Sequence, residues 1–437
     1  MYRDVYTFLL KLLLLLQLYY YLYMLKTNLI PPVSERSGEN WTATITEAST
    51  EKRKLNSNTT EIDNFLKNLP DVVCLSHLRW DFVYQRPQHL LSRFAKYGRV
   101  FFVEEPIFGQ TQAPRLDVSS REMNLYVAVP HLPHGLTAEQ AEEAQRTLLN
   151  SLLKEQLLER FVLWYYTPMA LSFSNHLTPA LTVYDCMDEL SAFKFSPPRL
   201  KELEQELFKK ADLVFTGGQS LYASKKKQHM QTHLFPSSID RAHFAKAKEP
   251  LDQPKDQAAI PEPRIGFFGV IDERMDLALL EAVADARPDW QLVMVGPVVK
   301  IDPTDLPKRQ NIHYLGGKSY QELPAYISGW EVALLPFAIN ESTEFISPTK
   351  TPEYLAAGKP VVSTPVRDVV QPYGEAKLVH IARSPEEFVA AVETAMGQAN
   401  DLKWRSEVDA FLADRSWDNT WRGMVSLMSQ ALQHKKS

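Results

Sequence analysis

The sequence predicts a two-domain α/β protein in which each domain is a doubly wound, Rossmann-like sheet. Three observations predict it. Short apolar runs of strand length alternate with amphipathic stretches of helical length, the alternation falls into two series, and a segment rich in Pro, Lys and Asp at 245–263 separates them. Strands that alternate with helices require parallel crossovers. Two such sheets joined by a linker face each other across a cleft, and ligands bind there, beyond the carboxyl ends of the strands. With 437 residues, 45% of them apolar, the chain is long enough for two cores.

Along the chain, residues 5–25 form an apolar stretch interrupted by Lys11 and Gln17, long enough to cross a bilayer. It reads either as a membrane anchor or as a biased leader that adds nothing to the fold, and the flanking Arg3 and Lys26 do not orient it. Residues up to about 70 then form a polar tether without periodicity, with the sequons at Asn40 and Asn58. The first folded unit is expected at 71–245. Its strands are "DVVCLS", "RVFFVEEP", "NLYVAVP", "RFVLWYY", "LTVYDC" and "ADLVFTGG", with helices over "QHLLSRFAKYG", 138–159 and 198–211. After a linker at 246–263, a second unit at 264–415 carries the strands "RIGFFGV", "WQLVMVGP", "NIHYLGG", "EVALLPF", "KPVVSTP" and "AKLVHIA". Its helices are expected at 277–286, 320–327, 351–357 and 385–398. The closing segment 416–437 is an amphipathic helix whose Trp417, Trp421 and Met424 need a core to pack on.

A net charge of -5 recommends no nucleic-acid partner. Cys74 and Cys186 each sit in a strand-like run and read as small buried hydrophobes, so neither a disulfide framework nor a cysteine metal site is expected. No His/Cys cluster or D-x-D has metal-ligand spacing, and no metal is expected.

Two stretches carry chemistry. "IGFFGVIDERMD" sets Gly266 and Gly269 around a strand end and then Asp272, Glu273, Arg274 and Asp276 in the turn that opens a helix. Glycine there admits a phosphate to the backbone, and Arg274 can neutralise a diphosphate, although a plain turn with a solvated charge cluster explains the stretch as well. "SPTKTPEYLAAGKPVVSTP" places Lys350 and Glu353 one turn apart at a helix start, with Ser347 and Thr349 just before them. Glu353 suits the helix dipole; it also suits a ribose diol, with Lys350 on phosphates. Neither half offers a dinucleotide fingerprint, which sets a dehydrogenase aside.

Together with "WDFVYQRPQHLLSRF" and "VYDCMDELSAF", these motifs resemble the bacterial two-domain glycosyltransferases of the GT-B fold, family 4 (group 1), of the teichuronic-acid and polysaccharide biosynthesis type. The resemblance covers residues 71–437. It implies transfer of a sugar from a nucleotide diphosphate donor to a hydroxyl of a cell-surface polysaccharide or lipid-linked acceptor, usually with retention. It also implies a cytoplasmic catalytic domain near the membrane face and no cofactor beyond the donor. Glu353 matches the second glutamate of the family's E-x7-E motif, on the ribose; the first falls on position 345, which is Phe345 here, so Ser347, Thr349 and Lys350 are expected to fill its place. Gly269 and Arg274 match the diphosphate site.

The resemblance assigns the N-terminal half to the acceptor. Trp80 would stack on a sugar face, Arg86 would meet an acceptor phosphate, and Gln85 and His89 would flank them, although loop or core packing explains Trp80 and His89 equally. Asp185 and Asp188 would orient the acceptor hydroxyl or act as its base, unless Asp188 caps the next helix. Because Phe345 replaces a glutamate, a second reading stays open: a non-catalytic relative that binds glycan or a partner transferase. A sugar-nucleotide epimerase is a third.

Overall fold

The computed structural model describes residues 65–435, Phe195 excepted. The candidate anchor, most of the tether and both sequons lie outside the described residues. Among the described residues no helix is long and apolar enough to cross a membrane.

The N-terminal sheet has nine strands: β1 (Asp71–Leu75), β2 (Val100–Val103), β3 (Ile107–Gly109), β4 (Arg115–Glu122), β5 (Leu125–Pro133), β6 (Phe161–Tyr165), β7 (Leu181–Cys186), β8 (Leu213–Thr216) and β9 (Thr232–Leu234). They run in the order β3-β5-β2-β1-β6-β7-β8-β9, with β4 antiparallel on β5. The central strands are buried along their whole length, as parallel strands covered on both faces must be. The covering helices include α1 (Arg86–Phe94), α2 (Ala138–Glu155), α3 (Leu200–Lys210) and α4 (Gln219–Lys225). The sequence reading omits β3, β4 and β9. In β4, "RLDVSSRE", nearly every residue is exposed, so no apolar pattern marks a strand held by backbone pairing to β5 and by surface ion pairs, Arg121 with Asp81 and His131 with Asp117. Leu66 lies in the core under this sheet, so the folded unit begins ahead of Asp71.

The C-terminal sheet is wholly parallel: β10 (Arg264–Phe268), β11 (Gln291–Val295), β12 (Ile312–Gly316), β13 (Val332–Leu335), β14 (Val361–Ser363) and β15 (His380–Ile381), in the order β12-β11-β10-β13-β14-β15. Its helices include α5 (Leu277–Ala286), α6 (Lys350–Ala356), α7 (Pro385–Met396) and α8 (Leu402–Leu412). Side-chain caps start three of these: Asp276 accepts from the Leu279 N–H, Ser384 from Glu387 and Asp401 from Trp404. Both sheets reverse direction at their first strand. The C-terminal sheet's switch point therefore falls between β10 and β13, where an open α/β sheet leaves a crevice.

The linker is folded. Gln257 is buried, donating to the Tyr326 carbonyl and accepting from Trp330 Nε1, which straps the segment to the C-terminal domain. The last helix, α9 (Trp417–His434), returns to the N-terminal domain, where Trp417, Trp421, Met424, Val425, Met428 and Leu432 complete the core with β1, β2, β6 and α1. Cys74 and Cys186 are buried free thiols.

Candidate active site

The two strands that flank the C-terminal switch point deliver the two main site elements. Just past β10, Gly269 adopts φ +144°, and a β-carbon there would lie 2.5 Å from Lys350 Cε. Only glycine lets the lysine lie against the backbone in this way. Lys350 opens α6, which follows the β13 loop, and α6 is held by the Tyr354 hydroxyl accepting the Phe268 N–H at the end of β10. The lysine and the glycine turn are thus fixed to each other. Gly266 has another role: its β-carbon would collide with the Trp330 indole at 1.9 Å, so this glycine admits a tryptophan to the sheet face and not a phosphate to the backbone.

Arg274 is held by Asp272, with Nη2 donating at 2.7 Å and Nε at 3.0 Å, and its guanidinium lies 5.5 Å from the ring centroid of Phe193 in the N-terminal domain. Glu353 is buried, and burial pushes its carboxyl up to about 8 although Lys350 pulls it down. Lys350 is lowered by burial, with Glu353 opposing and Arg274 adding to the fall. Across the cleft, Asp188 faces Arg274, Lys300 and Lys350; burial raises its carboxyl and the three cations oppose the rise. Asp188 caps no helix: Glu189 precedes the short helical turn at Leu190–Ala192. Of the carboxylates in "VYDCMDEL", Asp188 is the one aimed at the cations, because Glu189 is tied to Lys225 at 2.7 Å.

Burial of Glu353 makes a pH prediction. A carboxyl whose folded value lies near 8, against an ordinary 4.5, binds its proton more tightly in the native chain than in the unfolded one. Its contribution to stability is complete below the ordinary value and disappears as pH rises towards 8. The ligand-free protein should therefore lose stability across this window, and Glu353→Gln should flatten the slope, gaining on the order of a few kcal/mol over the parent at pH 8 and little at pH 5. Urea titrations at the two pH values measure this.

The N-terminal candidates need correction. Trp80 is a core residue, its ring edge-on to Phe102 at 5.1 Å, and offers no face to a sugar. Arg86 and Asp185 are bound to each other: Nη2 donates at 2.7 Å, Nε reaches both carboxylate oxygens at 3.0 Å, and Nη1 donates to the Phe235 carbonyl at 2.8 Å. Enclosed and with the guanidinium already taken by the carboxylate and the Phe235 carbonyl, neither is available to an acceptor. The paired donor and acceptor cancel each other's burial penalty, which is why two charges so far apart in sequence occupy one interior site. His89 stacks on Trp417 at 4.6 Å, and burial lowers its imidazole to about 3. Gln85 precedes α1, its N–H donating to Gln88 Oε1. Ser347 lies against Gly218 at the domain contact and Thr349 precedes α6.

Two features were not singled out from the sequence. Lys300, after β11, lies 4.8 Å from the Phe193 ring centroid; its place at a strand's carboxyl end is the signal that marks it. Asp368 of the C-terminal domain accepts from the Gln219 and Ser220 N–H groups at 2.7 and 3.1 Å and from the Ser220 hydroxyl, capping α4 across the domain boundary.

Comparison with known proteins agrees with the two-domain fold. Residues 262–398 match the family model for glycosyl transferases group 1. A curated Bacillus subtilis (strain 168) protein, "Putative teichuronic acid biosynthesis glycosyltransferase TuaH", is 23% identical over 288 residues, 61% of this chain and 71% of that one. Among solved structures, an E. coli trehalose-6-phosphate protein bound with UDP-2-fluoro glucose aligns with a TM-score of 0.60 at 14% identity, covering 83% of this chain and 99% of that one. Anabaena Alr3699/HepE, in complex with UDP and glucose, aligns with a TM-score of 0.58 at 14% identity, covering 82% and 99%. Two facing doubly wound domains with these neighbours define the GT-B fold. Within that class the chain is similar to the group 1 glycosyltransferases over residues 262–398, and it is an enzyme of the hexosyltransferase type.

Proposed function

We propose that this glycosyltransferase moves a sugar from a nucleotide diphosphate donor to a hydroxyl of a cell-surface polysaccharide or lipid-linked acceptor, with retention at the anomeric carbon. The observation that carries the reading is Lys350 lying against Gly269 at the switch point, with Arg274 and Glu353 beside it. In glycosyl transfer, charge develops on the departing diphosphate, and fixed cations in a water-poor site are what lower that barrier. Lys350 and Arg274 supply them, so the reaction needs no metal. Glu353 takes the ribose diol, and Asp188, facing these cations from the opposite domain, takes the proton of the acceptor hydroxyl. The name of the B. subtilis relative supports a polysaccharide acceptor. Retention rests on the family resemblance alone. A nucleotide-sugar donor places the catalytic domains in the cytoplasm, and residues 5–25 would hold them at the inner membrane face.

Calorimetric titration of the protein with UDP, GDP and their sugar conjugates, with and without EDTA and beside Glu353→Ala, tests this. Binding that EDTA leaves intact and Glu353→Ala abolishes is the expected result. No binding to any of them would favour the non-catalytic reading that Phe345 motivates.

A further inference from the structure

We propose that Glu273 is the hydroxyl-gripping carboxylate of the cleft, accepting from a vicinal diol on one of the two reacting sugars in place of the carboxylate missing at position 345. This rests on the glycosyl-transfer reading above. Glu273 lies in the turn after β10, beside Arg274, with its side chain 3% exposed. Neither of its oxygens has a hydrogen-bond partner among the described residues. A carboxylate enclosed without donors is costly, and native folds keep buried acceptors paired, so something outside the chain must supply these two donors.

The surroundings say what that is. The Lys300 ammonium is 3.9 Å from Oε1, too far to donate, and reaches across to the Phe193 ring in the N-terminal domain, which Arg274 also approaches. Lys300 takes a left-handed backbone, φ +61°, which disfavours a lysine unless the position matters. Glu273 therefore lies where the facing loops of the two domains meet, next to the arginine assigned to the diphosphate. Its negative charge repels phosphate, and its two parallel acceptors match neighbouring ring hydroxyls. Phe345 cannot serve here, because it packs against the core of the N-terminal domain.

The diol belongs either to the donor sugar or to the acceptor, and one set of measurements separates them. Glu273→Gln and Glu273→Leu are titrated with UDP, GDP and their sugar conjugates, then assayed for turnover against p-nitrophenyl glycosides. If the donor is gripped, free nucleotide binds as in the parent, while the affinity the sugar adds falls about tenfold or more. If the acceptor is gripped, donor binding is unchanged and acceptor KM rises by a similar factor. In both cases the ligand-free Glu273→Leu melts at or above the parent temperature, since an enclosed carboxylate without a hydrogen-bond donor has been removed; a merely structural carboxylate would lower it. Unchanged sugar affinity together with unchanged acceptor KM overturns the assignment, whatever the melting temperature. A parent protein that binds no nucleotide defeats the glycosyl-transfer reading itself, and this assignment falls with it.

Discussion

Lys350→Met should reduce turnover about 100- to 1,000-fold while leaving the fold intact. Removing one fixed donor from a site where charge develops has an effect of that size. Methionine keeps the length of the side chain over Gly269 and deletes only the ammonium. Burial already disfavours the charged lysine in the ligand-free protein, so its melting temperature should not fall. Gly269→Ala is the companion test. It leaves every charge in place, but its β-carbon would displace Lys350 Cε and strain a φ of +144°. If the position of the ammonium matters, the two variants lose turnover together; a normal Gly269→Ala enzyme would place the diphosphate elsewhere. Single-turnover rates with the donor that calorimetry selects provide the measurement.

The largest effect on stability should come from Arg86 and Asp185. Arg86→Leu leaves the Asp185 carboxylate enclosed, and Asp185→Leu leaves the guanidinium so; each should destabilise the N-terminal domain by about 3–5 kcal/mol. That corresponds to a melting-temperature drop of roughly 10 °C. The double replacement by apolar residues should recover most of the loss, because no unpaired charge remains, except that the Phe235 carbonyl loses its donor. Thermal denaturation of the three variants forms a double-mutant cycle. An acceptor KM unchanged in the folded fraction would show that this arginine holds the domain together and touches no substrate.

The alternation of apolar strands with helices marks the central strands of both sheets; strand-end position points to Gly269 and Arg274, and a helix start points to Lys350 and Glu353. Both are local patterns. The failures were long-range. Arg86 and Asp185 look like two polar residues at two strand-end loops, and nothing near either announces that they meet in the interior. Trp80 has the chemistry of a sugar platform, yet its exposure depends on Phe102, a residue of the neighbouring strand. Likewise Gly266 resembles a phosphate-loop glycine until Trp330 is seen packed on it. Polar β4 escapes the pattern for the opposite reason: backbone pairing and surface ion pairs hold it, and neither leaves an apolar period in the sequence.

The return of α9 to the N-terminal domain has a mechanical consequence. The chain passes between domains twice, once after β9 and once between α8 and α9, and the passages run side by side, with Arg241 donating to the Ala413 carbonyl at 3.2 Å and Lys248 paired with Asp409 at 3.0 Å. Two adjacent covalent ties form a spine along one edge. They leave the halves little freedom to slide or twist and permit rotation about that edge, as a book opens. Residues near the spine, among them the aromatic cluster of His89, Trp417 and Tyr320, would barely shift in such a motion. Groups far from it would travel furthest, so a few degrees at the spine would translate into ångströms at the outer contacts between the two halves.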